Sequence, residues 1–132
     1  MAVDVVAALV VEEGRFMICQ RPANKARGLL WEFVGGKVER GEDLTEALKR
    51  ELREEMALTA TILSPYMTVR HTYPDFVVTL HVFLCAMASD YRLLEHEGAE
   101  WLAPYDLHPD EWAPADAPIV GQLKYDLTRG NL

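Results

Sequence analysis

Apolar and polar positions along the chain predict six strands. Continuous apolar or β-rich runs occur in Val3–Val11, Phe16–Gln20, Trp31–Val34, Thr59–His71, Phe76–Ala88 and a short stretch within Glu95–Leu102. The first run is apolar at nearly every position, which suits a strand buried on both faces. Turns are expected at Glu12–Arg15 and at Tyr73–Asp75, where glycine, proline and charged residues interrupt the pattern.

Two further segments carry apolar residues at helical spacing. The first is Asp43–Met56, with the stripe Leu44, Ala47, Leu48, Leu52 and Met56. The second is Pro118–Leu127, and Asp106–Trp112 before it is expected to form a turn or a short 3₁₀ segment. Strands mixed with two flanking helices predict an α+β fold, an α/β/α sandwich with a mixed sheet between the helices.

The helix predicted at Asp43–Met56 also carries a dense group of carboxylates. Glu51, Glu54 and Glu55 fall within about 100° of one another around the helix axis. Their arc overlaps the apolar stripe, whereas a solvated acidic face would point away from it. Glutamates at this spacing repel one another, and carboxylates beside a buried face need partners. A divalent cation is the simplest partner, and an oxygen-rich site suits Mg²⁺ or Mn²⁺ better than zinc.

A glycine loop precedes this helix. Gly35-Gly36 follows the strand at Trp31–Val34 and is expected to let the backbone turn sharply and approach a ligand closely. Asp43 is the expected N-cap, because Glu46 follows it at the spacing of a capping box. The segment therefore predicts a strand, a glycine loop and a helix whose acidic groups lie on its inner edge.

Composition and charge exclude several classes of protein. The chain has 132 residues, 50% of them hydrophobic, which fits one domain over residues 1–132 with a single core. The formal net charge of −8 should repel polymeric nucleic acid, although a small polyphosphate can bind where cations screen the site. No apolar run is long enough to span a bilayer, and the apolar start is expected to be a strand and not a signal peptide. Cys19 and Cys85 are expected to be buried thiols in a reducing cytoplasm.

The acidic helix and the loop before it resemble a family motif. Gly36, Glu42 and Arg50-Glu51-Leu52-x-Glu54-Glu55 have the spacing of the Nudix box. The chain departs from the box at Ala57, where the family has glycine. If that position needs a left-handed backbone, alanine costs on the order of 1 kcal/mol.

Weaker cues extend the resemblance to the MutT-type branch of the family, which includes 8-oxo-dGTP and CTP pyrophosphohydrolases. These cues are Gln20–Pro22, Leu30–Phe33, Glu95-His96 before Trp101, and Pro114–Pro118. The resemblance covers nearly the whole chain and implies the same sandwich fold.

The resemblance also implies a set of metal ligands. Glu51 and Glu55 are the expected primary ligands, and Glu54 contributes directly or through water. The family also uses a backbone carbonyl that falls here on Gly35. Arg50 is expected to orient a neighbouring carboxylate.

A further acidic residue is expected near the metal. In MutT-type enzymes a glutamate in the loop before the strand of Trp101 reaches the metal, and its spacing favours Glu95 over Glu97 and Glu100. Either Glu51 or Glu95 could take the proton from the attacking water, and the sequence leaves this choice open.

Cations near the glycine loop are expected to contact the phosphates. Arg21 matches a phosphate-contacting arginine of the family, and Lys37, Lys25 and Arg27 are local alternatives.

Recognition of the base is expected to involve Asp116, which lies where the oxidised-guanine enzyme carries asparagine. An ionised carboxylate only accepts hydrogen bonds, so Asp116 permits guanine or cytosine. The Pro-Ala-Asp pattern also occurs in CTP-type members, which favours a pyrimidine or broad specificity. The alternative role for Asp116 is an N-cap of the second helix. Glu32, Phe33 and Val34 are the remaining candidate substrate-binding residues, with Phe33 and Val34 lining the base pocket.

The sequence therefore predicts a Mg²⁺-dependent pyrophosphohydrolase that converts (deoxy)nucleoside triphosphates, including oxidised or modified ones, to the monophosphate and pyrophosphate. Such an enzyme would clear damaged or surplus nucleotides as a monomer or homodimer. The alternatives are hydrolysis of another diphosphate compound, such as a dinucleoside polyphosphate or nucleotide sugar, and a non-catalytic nucleotide sensor. The complete acidic set argues against a sensor.

Overall fold

The structure, a computed structural model, describes residues 2–25, 28–103, 112 and 114–129. Within these residues the chain forms seven strands and two helices. In chain order they are β1 (Ala2–Glu12), β2 (Arg15–Gln20), β3 (Trp31–Glu32), β4 (Gly35–Lys37), α1 (Leu44–Met56), β5 (Ala60–Thr72), β6 (Val77–Met87), β7 (Gly98–Leu102) and α2 (Ala117–Thr128). Neither helix has the length and apolar character that a membrane crossing requires, as far as the described residues go.

The strands form one mixed sheet with β1 at its centre. The strand order is β3-β2-β1-β6-β5, with β4 also paired to β1 and β7 to β2. β1 runs parallel to β6 and antiparallel to β2 and β4. A central strand covered on both faces has few positions that reach water, which explains the nearly unbroken apolar sequence of β1.

Side chains of β1 alternate between two cores on opposite faces of the sheet. Val6, Ala8 and Val10 pack with the buried face of α1, and Ala7 and Leu9 pack with that of α2. Successive residues of a strand point to opposite faces, so the two helices flank the sheet. The predicted α/β/α sandwich is confirmed.

Both ends of α1 are fixed by local interactions. Asp43 Oδ1 accepts a hydrogen bond from the Glu46 N–H at 2.8 Å, as the capping-box spacing predicted. At the other end Ala57 adopts a left-handed conformation with φ 51° and ψ 30°, and the Leu58 N–H donates to the Leu52 carbonyl at 3.1 Å. This is a Schellman-type cap, in which glycine at the left-handed position would carry no strain. Alanine holds that conformation here.

The expected sharp turn at Gly35-Gly36 is wrong, because both glycines lie in β4. A Cβ on Gly35 would stand 1.8 Å from the Val6 carbonyl oxygen, so this residue must be glycine for β4 to lie against β1. The strand expected at 31–34 ends at Glu32. Up to that residue the chain pairs with β2, and from Gly35 onward it pairs with β1.

The segment Asp106–Trp112, expected as a turn or 3₁₀ piece, lies outside the described residues except for Trp112. Trp112 forms an isolated parallel bridge with Trp31 and so attaches this part of the chain to β3.

Candidate active site

Helix α1 presents Glu51 to the glycine strand β4. A Cβ on Gly36 would lie 2.3 Å from Glu51 Cδ and 2.5 Å from Oε2, so only glycine leaves room for this carboxylate. The side chain of Glu51 is 13% exposed. Burial raises the pKa of Glu51, and the hydrogen bond and charge of Arg50 oppose that rise.

Arg50 connects the acidic side chains around it. Its Nε and Nη2 donate to both carboxylate oxygens of Glu42 at 2.7 and 3.0 Å. Its Nη1 donates to Glu51 at 2.8 Å and to Glu54 at 3.1 Å, and Nη2 also donates to the Lys37 carbonyl at 2.9 Å. Planar guanidinium groups suit such multiple contacts. Arg50 therefore fixes Glu51 relative to β4, the orienting contact that the sequence led us to expect.

Glu55 differs from its neighbours because part of its carboxylate has no partner. Its Oε2 is buried and accepts no hydrogen bond from any residue that the structure describes. Burial and the charges of Glu51, Glu32 and Glu95, against the opposing charge of Lys25, together raise the pKa of Glu55 to about 8. A buried carboxylate without a partner is destabilising. A divalent cation would provide the missing partner and relieve the repulsion, so the donor set fits a hard metal ion.

Not all of the predicted ligands are gathered in one place. Among the described residues, no three acidic, histidine or cysteine side chains stand together as a ready-made ligand set. Glu54 was expected at the buried edge of the helix, yet its side chain is 59% exposed. Glu95 is 48% exposed, and its carboxylate lies 3.6 Å from Lys25 Nζ. Gly35 lies in β4, beside the glycine that accommodates Glu51.

The loop that carries Glu95 is attached to the end of α1. The Arg92 N–H donates to the Met56 carbonyl at 2.8 Å, and the Leu94 N–H donates to the Glu55 carbonyl at 3.0 Å. The last carbonyls of a helix lack partners within the helix. The loop supplies those partners, and this brings Glu95 close enough for its charge to act on Glu55.

A cavity of about 240 Å³ opens between the sheet, the glycine strand and the start of α2. Its walls are formed by Val5, Arg21, Glu32, Gly36, Lys37, Tyr73, Phe76, Val78, Leu80, Ala115 and Asp116. Arg21 Nη1 donates to Glu32 Oε1 at 2.8 Å within this wall. The cavity thus gathers four of the predicted substrate-binding residues, Arg21, Glu32, Lys37 and Asp116. Sequence reasoning missed Tyr73 and Phe76, since it treated Tyr73 as part of a turn and Phe76 as the start of a strand.

Asp116 is buried, and its carboxylate accepts a hydrogen bond from the Phe33 N–H at 3.1 Å. Burial, with a further rise from the charge of Glu32, raises the pKa of Asp116 to about 8 against the opposing Phe33 N–H and the charge of Arg21. A carboxyl with this pKa is largely neutral near pH 7, in contrast to the ionised carboxylate expected from the sequence. As a neutral carboxyl it both donates and accepts. The alternative N-cap role is also not what the side chain does, because its bond goes to Phe33 and not to α2.

Phe33 and Val34 do not line this cavity, contrary to the expectation for a base pocket. The Phe33 ring stacks on Trp112 with 4.9 Å between ring centroids, and Val34 is fully buried in the core beneath α1. Their burial follows from the position of residues 33–34 between β3 and β4. What Phe33 contributes to the cavity is its backbone N–H, which holds Asp116.

Comparison of the sequence with known proteins identifies a family and related chains. Residues 5–122 match the family described as NUDIX domain. The CTP pyrophosphohydrolase of Escherichia coli (strain K12) is 34% identical over 119 residues, covering 89% of this chain and 88% of that protein. The 8-oxo-dGTP diphosphatase of the same organism is 31% identical over 114 residues, covering 86% and 88%.

A solved structure shows the same fold. The solution structure of the E. coli ORF135 protein superposes with a TM-score of 0.84 at 31% identity, and the match covers 95% of this chain and 90% of that one.

Proposed function

Because the chain belongs to the NUDIX domain family, and as such is a Nudix hydrolase, we propose that it hydrolyses nucleoside triphosphates to the monophosphate and pyrophosphate. The observation that carries this proposal is the buried, unpartnered Oε2 of Glu55 beside Glu51, next to a cavity of nucleotide-binding character. Nudix hydrolases use a divalent metal ion, and we propose Mg²⁺, with Mn²⁺ as a substitute, because the donors are carboxylate oxygens.

Glu51 and Glu55 would hold the metal ion, with Glu54, Glu95 and the Gly35 carbonyl as further ligands. When bound, the ion supplies charge neutralisation for the triphosphate and acidifies water at neutral pH. Arg50 keeps the Glu51 carboxylate against β4 through its 2.8 Å bond. Either Glu51 or Glu95 accepts the proton of the attacking water, and comparing Glu51→Gln with Glu95→Gln identifies which.

The cavity is the proposed site of the nucleotide. Arg21 and Lys37 place positive charge in its wall, which suits the phosphates of an otherwise acidic protein. Tyr73 and Phe76 offer aromatic surface to a base, with ring centroids 5.3 Å apart.

Base selection is assigned to Asp116 and Glu32. The pKa of Asp116 is about 8, so near neutral pH its carboxyl can donate a hydrogen bond, whereas Glu32 has a lowered pKa and only accepts. Cytosine presents an amine donor beside a ring-nitrogen acceptor. Glu32 would accept from the amine, and Asp116 would donate to the ring nitrogen. The similarity to a CTP pyrophosphohydrolase supports a cytosine nucleotide as the preferred substrate, with guanine nucleotides, such as 8-oxo-dGTP, also accepted.

The cellular setting follows from two features. Cys19 and Cys85 are buried free thiols, which fits a reducing compartment, and we place the enzyme in the cytoplasm. The partner is a small nucleotide and not a nucleic acid, since the net charge is −8.

The test is a panel of nucleotides with Mg²⁺, in which the products are separated and identified. CTP, 5-methyl-dCTP, dGTP and 8-oxo-dGTP are compared at equal concentration. We expect monophosphate and pyrophosphate in equal amounts, with a cytosine nucleotide turned over fastest. Release of inorganic phosphate alone, or no turnover of any triphosphate, would contradict the proposal.

Two variants of the same helix make the test specific. Glu55→Gln removes the charge of the unpartnered carboxylate and should abolish turnover with Mg²⁺. Glu46→Gln makes the same chemical change on an exposed first-turn residue of α1 and should leave turnover unchanged. Equal activity in the two variants would show that Glu55 is not a metal ligand.

A further inference from the structure

Three partly buried polar side chains join the wall of the cavity to the loop that carries Glu95. His96 Nε2 lies 3.0 Å from Glu32 Oε2, and Glu32 Oε1 accepts from Arg21 Nη1 at 2.8 Å. The side chain of His96 is 3% exposed and that of Glu32 16%. Glu32 and Arg21 line the cavity, whereas His96 stands behind them. These hydrogen bonds therefore run from the cavity surface into the protein interior.

Chemistry fixes the direction of the His96 bond. Burial would raise the pKa of Glu32, but the bond from His96 together with the charge and bond of Arg21 outweigh burial and lower it, so Glu32 is an ionised acceptor. A carboxylate cannot donate, so His96 Nε2 carries the proton. His96 Nδ1 is buried and has no partner. Within the described residues, the Glu32 bond is thus the hydrogen bond that orients the ring.

The loop around His96 is anchored on two other sides by its backbone. The Leu94 N–H donates to the Glu55 carbonyl at 3.0 Å, and the Glu97 N–H donates to the Gln20 carbonyl at 3.0 Å. These bonds tie the loop to the end of α1 and to the end of β2. Among the described residues, the side chain of His96 is what ties it to the cavity wall.

We propose that His96 is a positioning residue, which through Glu32 fixes the Glu95 loop relative to the metal-binding helix when a nucleotide base occupies the cavity. This inference rests on the proposed function, because it assigns the cavity to the base and Glu95 to the metal site. A base in the cavity restrains Glu32, and Glu32 restrains the His96 ring. The ring in turn restrains Glu95, the residue that precedes it. His96 itself touches neither substrate nor metal.

The proposal predicts a particular division between kcat and KM. Without the His96 bond, Glu32 keeps its bond to Arg21, so the cavity wall and ground-state binding of the nucleotide change little. Glu95 loses a restraint that matters for the reaction. We therefore expect kcat to fall by about tenfold or more, the usual effect of losing a hydrogen bond to a charged group, and KM to change by less than about threefold.

Two substitutions separate the hydrogen bond from the mere presence of a polar side chain. His96→Gln places an amide N–H near the position of Nε2 and can still reach Glu32. His96→Asn places its amide near the position of Nδ1, too short to reach. We expect kcat of the glutamine variant to stay within about threefold of wild type and the asparagine variant to show the full loss. Equal kcat in both variants would overturn the proposal.

His81 provides a matched control outside the site. Its Nε2 lies 3.0 Å from Asp4 Oδ1, the same type of bond, and it lines a different cavity next to the start of α1. His81→Asn and His81→Gln should leave kcat and KM at wild-type values. If His81→Asn lowered kcat as much as His96→Asn, the effect would be a general loss of stability, and the proposal would be refuted.

A second readout needs no turnover. Hydrogen exchange of the amides in Tyr91–Glu97 is measured with and without CMP, in EDTA, for wild type and His96→Asn. We expect CMP to slow exchange of this loop in wild type and not in the variant, with CMP binding to both verified by calorimetry. Protection of the loop by CMP in both proteins, or in neither, would overturn the coupling.

The two proposals fail in different ways. A wild-type protein that hydrolyses no triphosphate refutes the proposed function, while the exchange comparison still tests the His96 link. Should His96→Asn not fold, Glu32→Ala decides the matter, because it removes both carboxylate oxygens and with them the bond to His96. Loop protection by CMP that persists in Glu32→Ala, with CMP binding verified by calorimetry, would also refute the inference.

Discussion

Replacing Glu55 with glutamine should stabilise the metal-free protein while removing its activity. The substitution keeps the shape of the protonated side chain and removes the group whose ionisation the fold resists. Glu55 Oε2 is buried without a partner among the described residues, and burial together with the neighbouring carboxylates raises the pKa of Glu55 from 4.5 to about 8. In the absence of metal this carboxylate therefore lowers the stability of the fold at neutral pH. Its proposed role is to bind the metal ion.

The magnitude follows from proton linkage. Between pH 4.5 and 7 the unfolded chain releases the Glu55 proton, whereas the folded protein keeps it. Stability contributed by a raised pKa is present below the unfolded value and is lost as the pH rises. Each pH unit removes about 1.36 kcal/mol, so wild type loses about 3 kcal/mol by pH 7 as an upper value. Glu55→Gln does not titrate, and should exceed wild type by about 1–3 kcal/mol at that pH once partial solvation of the side chain is allowed for.

Urea unfolding followed by tryptophan fluorescence measures this difference. The assay is run in EDTA at pH 4.5 and at pH 7, with Glu46→Gln as the control. The gain of Glu55→Gln should be present at pH 7 and nearly vanish at pH 4.5, because both states of wild type hold the proton in acid. Glu46→Gln should shift the free energy of unfolding by less than about 0.5 kcal/mol. If Glu55→Gln were no more stable than wild type at pH 7, or gained equally at both pH values, the burial argument would be refuted.

Three further outcomes are expected. Gly36→Ala would bring a methyl carbon 2.3 Å from Glu51 Cδ, so kcat should fall by about tenfold or more while the circular dichroism spectrum is retained, and wild-type kcat would refute the close approach. Asp116→Asn should keep kcat/KM for CTP at pH 7 within about threefold, since both side chains donate and accept. The wild-type decline in kcat/KM as pH rises through about 8 should be absent in this variant, and a persisting decline would assign it to another group. Ala57→Gly should relieve the left-handed strain at φ 51° and raise the free energy of unfolding by about 0.5–1 kcal/mol in urea, whereas a loss of stability would show that alanine is not strained there.

Helix α1, which carries Glu51 and Glu55, could be predicted because its sequence signals are local. Asp43 and Glu46 mark its start, a periodic apolar stripe fixes its buried face, and the spacing of Glu51 and Glu55 places them beside that stripe. All of these contacts lie within a few turns of one helix, so they do not depend on the rest of the fold. The rotation angle placed Glu54 at the buried edge as well, and this is wrong, because its carboxylate is exposed and accepts a hydrogen bond from Arg50.

Features that depend on distant contacts could not be predicted. β4 has only three residues. Its Gly35 is required by the backbone of β1 and its Gly36 by the side chain of Glu51, and neither contact leaves a signal in the local sequence. Asp116 is buried by partners about eighty residues away, so its protonation is not visible in the local sequence. The bond between His96 and Glu32 joins residues 64 positions apart.

The most direct test of the account is binding of Mn²⁺ measured by electron paramagnetic resonance. The free-ion signal is titrated with wild type, Glu55→Gln and Glu46→Gln, and Mg²⁺ is added to compete. The account predicts that wild type and Glu46→Gln remove the signal equally, that Mg²⁺ restores it, and that Glu55→Gln binds at least about tenfold more weakly. Equal Mn²⁺ binding by all three proteins would show that the acidic face of α1 is not the metal site.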